Sequence, residues 1–402
     1  MDVETRLSYI KEFAREIVTE KDLRILLETK DHPWAYDGFE PSGLAHIPIA
    51  IYRTILTGYL LKAGFRMKYL LADDYAWINN KLGGDLERIR RAGEYFREVW
   101  KRSCEVLGVP FDKIEIVWHM DFFSDPEYWR KVILIAKAHS LRRTKRALTI
   151  AGRIAAEEKE TAIFFYPSMQ AADIFHLPVD VPQLGIDQRK VNMLARDVAG
   201  KSLELAGKRY KMYKLLGYED YGVNGKPVAV HHRLLPSLTP PPTTLPGYDE
   251  DPWKDFIIAS KMSKSKPETT ILIHDSRKKI FKKLRKAYCP PKSVVEHKVT
   301  RTIDGRTEEF TLTIENPVLV YVKEIVFRTR GSFTVKTRAG EETYTSYEDL
   351  VKDYDDGKIH PLDLKNALAD ALDQLIAPIR QYFEEGPGKK LYEEIRKYQI
   401  TR

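Results

Sequence analysis

The chain has 402 residues, 43% of them hydrophobic and 31% charged, which excludes a disordered polymer and a single small domain and suits about two or three domains. Lys and Arg exceed Asp and Glu by 66 to 58, and the resulting net charge of +8 permits a polyanionic partner without requiring one. Two cysteines, Cys104 and Cys289, exclude a disulfide scaffold and a cysteine-rich zinc site.

The N-terminal stretch MDVETRLSYIKEFAREI carries charge throughout, unlike a signal peptide. No run approaches the roughly 18 uncharged apolar residues of a membrane span. The expectation is a cytoplasmic protein with no membrane partner.

In chain order, Val3 to Ile17 reads as an amphipathic helix and Ala35–Phe39 as a strand running into the loop EPSG. His46 to Leu61 has helical spacing, and MKYLLA (Met67–Ala72) reads as a buried strand. Asp85 can cap a helix whose apolar face includes Ile89, Phe96, Val99 and Trp100 and which Gly108 and Pro110 close. IEIVW (Ile114–Trp118) is a strand, Tyr128 to Ile150 a helix, and AIFFY (Ala162–Tyr166) extended or helical. VDVPQLG (Val179–Gly185) and KPVAVHH (Lys226–His232) are further strands. Strands separated by helices imply a mostly parallel sheet covered on both faces, with ligands at the carboxyl ends of its strands. The loops EPSGLAH, ADDYAW and QLGIDQRK fall at such ends.

Prolines then break regular structure over Leu234–Trp253, and KMSKSKPETTI (Lys261–Ile271) follows. Ser276–Tyr288 is an amphipathic helix with one cationic face, and hairpins are expected over 296–315 and 328–346, around Asp304-Gly305 and Ala339-Gly340. A last long helix runs from about Pro361 to Phe383. The basic helix is one positive cluster and Ser140–Arg153 is another. Together they favour nucleic-acid backbone contact over a plain solvated surface.

KMSKS carries the chemistry most directly. Phosphoryl and nucleotidyl transfer need cations that meet charge developing in the transition state, and Lys261 and Lys264, with Ser263 and Ser265, supply them on a short hydroxyl-rich loop. KMSKS is also the literal signature of class I aminoacyl-tRNA synthetases, and GLAHIPIA (Gly43–Ala50) stands where that class has its HIGH motif. YPSMQAADIF (Tyr166–Phe175) and GIDQRK (Gly185–Lys190) resemble the amino-acid pocket of tyrosyl-tRNA synthetases. AYDGFEPSG, KAYCP and HPLDLKNAL resemble the archaeal and eukaryotic branch of that family. The resemblance extends over residues 30–385.

It implies an α/β protein: an N-terminal helical segment (1–33), a Rossmann-type parallel-sheet catalytic domain (34–258), the KMSKS loop and linker (259–275) and a mostly helical anticodon-binding domain (276–402). It implies a homodimer that activates L-tyrosine with ATP and Mg2+ to tyrosyl-adenylate and pyrophosphate, then charges tRNA(Tyr). In that reading His46, Lys261 and Lys264 are catalytic, and Gly38, Glu40, His46, Pro48, Lys261, Ser263 and Lys264 bind ATP. Tyr36 and Asp173 would meet the phenol of tyrosine, and Tyr166, Gln170 and Gln188 its α-amino group. Asp363, Arg142, Arg143, Lys282 and Lys283 would meet tRNA, and no protein-held metal is implied. The chain departs from the HIGH pattern at Pro48 and Ile49: the proline suits a first helical turn, and the isoleucine cannot hydrogen-bond a nucleotide. A tryptophanyl-tRNA synthetase and a catalytically silent RNA-binding paralogue stay open as alternatives.

Overall fold

The computed structural model describes residues 1–151, 160–262, 267–303, 306–338 and 340–398. Six strands make the central sheet: β1 (Ala14–Val18), β2 (Trp34–Phe39), β3 (Arg66–Leu71), β4 (Ile114–Trp118), β5 (Val181–Gly185) and β8 (Ala229–His232). The intervening β6 (Ser202–Leu205) and β7 (Lys208–Lys211) form a separate hairpin. The sheet order is β1-β8-β5-β2-β3-β4, with every neighbouring pair parallel except β1 against β8. Side chains alternate between two apolar cores, as strand geometry demands. Met67, Tyr69 and Leu71 of β3 join one, with helices Val3–Phe13, Arg53–Lys62 and Leu86–Leu107. Leu70 joins the other, with helices Pro126–Lys137, Tyr166–His176 and Arg189–Ala199.

Three expected helices are corrected. The first ends at Phe13, and residues 14–18 form the edge strand β1 instead of continuing to Ile17. Local spacing suits either state; the open edge of β8 decides, pairing Ile17 with Val230 and Glu16 with His231. The stretch 128–150 is two helices, Pro126–Lys137 and Leu141–Ala147. His139 Nδ1 takes the Ile135 carbonyl at 2.7 Å, and Ser140 caps the second helix through Arg143 N. The stretch after His46 opens with a π-helical turn, Pro48–Tyr52, before Arg53–Lys62.

Glu16 fastens β1 to the sheet. Its carboxylate accepts from Arg189 Nε at 2.8 Å and His231 Nδ1 at 2.8 Å. Burial raises its carboxyl, but His231 and Arg189 outweigh burial and pull it down to about 2, against 4.5 for an ordinary Glu. A carboxyl lowered on folding stabilises above its unfolded value and loses that contribution as pH falls through its folded one. Glu16→Gln should therefore cost about 1–3 kcal/mol at pH 7. The gap in melting temperature from wild type should close as pH drops from about 4.5 towards 2. An unchanged gap across that window would mean that the packing of β1, not the carboxylate, carries the cost.

The C-terminal half is mostly helical. The basic helix Arg277–Lys286 packs on Pro361–Glu384, and Leu284 and Leu368 join the same core as β3, so the first core runs unbroken from sheet to C-terminal helices. Two antiparallel ribbons project from it: β9 (Val294–Ile303) with β10 (Arg306–Glu315), and β11 (Phe333–Thr337) with β12 (Gly340–Tyr344). The expected turn residues Asp304, Gly305 and Ala339 lie outside the described residues. The longer ribbon binds the proline-rich passage. Thr300 N donates to Thr243 O at 2.8 Å, Leu245 N to Thr300 O at 2.8 Å, and Arg301 to Glu250 O at 2.9 Å. Beneath these bonds Val299 and Ile314 bury Leu245 and Phe256.

Candidate active site

A cavity of about 1270 Å³ opens at the carboxyl ends of the parallel strands. Gly38 and Phe39 reach it from β2, Leu70 and Ala72 from the end of β3, and Leu184 from β5. Its outer wall is the proline-rich passage, with Pro240, Tyr248 and Phe256. Sheet geometry puts a ligand there.

Three of the expected site side chains come from one helix. Tyr166, Gln170 and Asp173 stand four and three residues apart on Tyr166–His176, so they share a face, and all line the cavity. Asp173 is 1% exposed. Its Oδ2 accepts from Tyr75 Oη at 2.6 Å, and its Oδ1 faces His119 Nε2 at 3.0 Å and Tyr128 Oη at 3.1 Å. The buried hydroxyl of Tyr36, which also lines the cavity, has no hydrogen-bond partner among the described residues. Burial and the nearby Asp173 charge push that phenol well above its ordinary value, so it stays a neutral donor.

Towards the other side of the pocket, Gln170 Nε2 donates to Gln188 Oε1 at 3.1 Å, and Gln188 Nε2 to Ile150 O at 3.0 Å. That leaves Gln170 Oε1 buried and unpartnered among the described residues, an acceptor suited to an ammonium group. Tyr166 Oη and Asn79 Nδ2 both donate to Glu40 Oε1 at 2.6 Å. Glu40 is thus fixed beside Gly38 at the end of β2.

Ile49 of the HIGH-like segment and Lys261, the first residue of KMSKS, both line this cavity. Ile47 N donates to Ile271 O at 3.0 Å and Ile273 N to Ala45 O at 3.1 Å, so the segment holding His46 is laced to the chain just beyond KMSKS. Ile49, not Pro48 or His46, reaches the cavity lining. Lys261 lines the cavity and donates to Asp187 Oδ2 at 2.8 Å. Burial works against both charges, but each partner outweighs it, so the lysine is raised and the carboxyl lowered. A side chain at Gly185 would meet Asp187 Oδ1 at 2.5 Å, so this tight turn admits only glycine without moving the carboxylate. Ser263 and Lys264 lie outside the described residues.

The family model for class I tRNA synthetases of tryptophan and tyrosine matches residues 28–241 and 257–377. The chain belongs to this family. The tyrosine–tRNA ligase of Thermococcus kodakarensis is 40% identical over 408 residues and covers all of both chains. Tyrosine–tRNA ligase 1, cytoplasmic, of Arabidopsis thaliana is 35% identical over all of this chain and 90% of its own. The structure of Pyrococcus horikoshii tyrosyl-tRNA synthetase complexed with L-tyrosine superposes with a TM-score of 0.81 at 38% identity, covering 99% of this chain and 100% of that one. A tryptophanyl-tRNA synthetase from Aeropyrum pernix shares the fold, with a TM-score of 0.59, but at 18% identity carries no more than the fold.

The synthetase disperses its expected RNA contacts. Arg142 is exposed, and Arg143 pairs with Asp197 at 2.8 Å. Lys282 is exposed, whereas Lys283 is turned inward: its side chain is 10% exposed and donates to Asp275 and to Thr270 O at 2.8 Å. Lys283 thus holds the chain after KMSKS instead of presenting a cation to a phosphate. Asp363 lies half-buried in the first turn of Pro361–Glu384, where His360, not Asp363, is the cap.

Sequence reasoning missed Tyr75, His119, Tyr128 and Asp187. Three of them had a signal. Tyr75 follows β3 in ADDYAW, His119 follows β4 directly, and Asp187 follows β5, all at carboxyl ends where synthetase chemistry gathers. Tyr128 lies on a helix two turns of chain removed and had none.

Proposed function

We propose that this chain activates L-tyrosine with ATP to tyrosyl-adenylate and pyrophosphate, then transfers the tyrosyl group to the 3′ end of tRNA(Tyr). One observation carries the reading. Within one cavity the Tyr36 hydroxyl and Gln170 Oε1 are buried without partners among the described residues, the first near a carboxylate already crowded with donors. Unpaired buried polar groups cost stability, so a ligand with a phenol at one end and an ammonium at the other is the natural complement.

The reaction needs no protein nucleophile. The tyrosine carboxylate attacks the α-phosphate and pyrophosphate leaves, so orientation and charge stabilisation supply the rate. Tyr36 and Asp173 hold the phenol, and Gln170 takes the ammonium with Tyr166 and Gln188 around it. Lys261, released from Asp187, meets the leaving pyrophosphate, with His46 and Lys264 on the phosphates and Gly38 and Glu40 near the nucleotide. Among the described residues no group of three His, Cys, Asp or Glu could hold a metal ion. Magnesium is proposed as the companion of the ATP phosphates.

The assay is amino-acid-dependent ATP–pyrophosphate exchange without tRNA. Exchange with tyrosine and not with phenylalanine or tryptophan is expected; exchange with tryptophan would overturn the assignment of Tyr36 and Asp173, and none at all would favour a silent RNA-binding paralogue.

Residues 276–402 are proposed to bind the anticodon arm, with Lys282 on its phosphates, and Arg142 and Arg143 to face the acceptor end or the dimer interface. Asp363→Ala should lower kcat/KM for tRNA charging by roughly 5- to 150-fold, the worth of about 1–3 kcal/mol of base contact, and leave exchange unchanged. A parallel fall in both steps would make Asp363 structural. A homodimer is proposed as well, supported by the exposed apolar side chains Ile133, Leu141 and Phe165. Among the described residues no helix is long and apolar enough to cross a membrane. The cytoplasm is the proposed compartment, as in the name of the plant relative.

A further inference from the structure

His119 follows β4 directly and is fully buried. Its Nδ1 lies 2.6 Å from Asp74 Oδ2, and its Nε2 lies 3.0 Å from Asp173 Oδ1 and 2.9 Å from Tyr128 Oη. Each ring nitrogen therefore faces a carboxylate oxygen, which has no proton to give when ionised. A neutral imidazole has one N–H and can satisfy one of them; an imidazolium donates to both. Two buried carboxylates on one ring also require a cation between them.

Among the described residues no lysine or arginine meets the ring. The polar groups around it are Asp74 from helix Asp73–Ile78, Tyr128 from Pro126–Lys137, and Asp173 from Tyr166–His176. The Tyr75 and Phe122 rings close its sides at 4.7 and 4.6 Å between centroids. His176 stacks on Phe122 behind it and is held below its ordinary value by burial and Lys131, so it adds no second cation there.

The arrangement fixes how Asp173 can act. Oδ1 is occupied by His119 and Tyr128, and Oδ2 by Tyr75. A carboxylate has about four lone-pair positions, so one acceptor position remains on Oδ2. We propose that His119 is the positioning residue for amino-acid selection: a buried imidazolium braced on Asp74 that locks Asp173 as a hydrogen-bond acceptor and thereby selects a phenol over a phenyl ring. The inference rests on the tyrosine reading above and deepens it. Burial opposes the ring's charge, but Asp173 and Asp74 prevail and lift it to about 9. A group raised on folding keeps its charge at neutral pH and loses it as pH climbs through that value.

Two measurements test this. In the wild-type protein labelled with 15N-histidine, with His119 assigned by its loss in His119→Gln, both ring nitrogens should carry protons at pH 7.5. In exchange assays His119→Gln should raise KM for tyrosine by about 10- to 100-fold, the worth of a charged hydrogen bond. KM for ATP should stay unchanged and kcat within about threefold, and the preference for tyrosine over phenylalanine should narrow in step with the tyrosine KM. His119→Lys, which restores a cation, should recover part of the tyrosine KM. A bare ring nitrogen in the wild type, or a tyrosine KM within about twofold in a folded His119→Gln, would overturn the proposal. Where His119→Gln does not fold, through-bond assignment in the 13C,15N-labelled wild type identifies the ring, and its spectrum decides the matter. Absence of tyrosine-dependent exchange in the wild type is a separate failure, that of the functional reading, and would take this inference with it.

Discussion

Asp173→Asn should nearly abolish tyrosine activation while the protein stays folded. The amide keeps the shape of the carboxylate, but one of its two acceptor atoms becomes a donor. Tyr75, Tyr128 and His119 already point donors at that group, at 2.6 to 3.1 Å, so at least one is left facing an N–H. The substrate phenol then competes for the single remaining oxygen. Losing a charged acceptor and misaligning its neighbours costs about 3–5 kcal/mol, or roughly 10²- to 10⁴-fold in kcat/KM for tyrosine. Phenylalanine, which asks nothing of that oxygen, should lose far less, so the selectivity ratio should collapse from the tyrosine side. Exchange rates for both amino acids, with a melting curve as the folding control, measure this. Wild-type tyrosine exchange would remove Asp173 from the pocket assignment.

Lys261→Ala should act on the other half of the reaction. In the resting arrangement the ammonium is parked on Asp187 at the edge of the cavity. Our mechanism has it leave that carboxylate when the nucleotide enters and meet the charge that builds on the departing pyrophosphate. A donor of this kind is worth roughly 10²- to 10³-fold in kcat. The tyrosine KM should barely move, because the pocket around Tyr36 and Asp173 is untouched. A rise in tyrosine KM with kcat preserved would instead make Lys261 a structural partner of Asp187. Asp187 then stands without its cation, so a lower melting temperature is also expected and does not by itself decide between the two roles.

The sheet was legible because buried parallel strands are near-continuous apolar runs, as in MKYLLA, and because the edge strand IEIVW is rich in β-branched and aromatic residues. Tyr166, Gln170 and Asp173 were legible only through the resemblance carried by YPSMQAADIF; the helix that puts them on one face, Tyr166–His176, was not read from the sequence. β1 was not: AREIV is half-polar, and only the open edge of β8, more than 200 residues away in sequence, turns it from helix to strand. The brace behind Asp173 was hidden for the same reason, since His119 and Tyr128 approach it across 54 and 45 residues. Charge counting failed at Lys283. Composition gives the number of cations on the basic helix, but only the position of Asp275 shows which one folds inward.

The longer ribbon belongs to the C-terminal half of the chain, yet its strand β9 is what holds Thr243, Leu245 and Glu250 in place. Those residues continue the outer wall of the cavity proposed for tyrosine and ATP, and Val299 and Ile314 supply the apolar backing for Leu245 and Phe256. A catalytic fragment ending before the basic helix would keep every residue assigned to the chemistry and still lose the timbering behind one side of its own chamber. The seam between the two halves is therefore not a joint at which the molecule divides; it is masonry of the reaction vessel, laid by the half that does no chemistry.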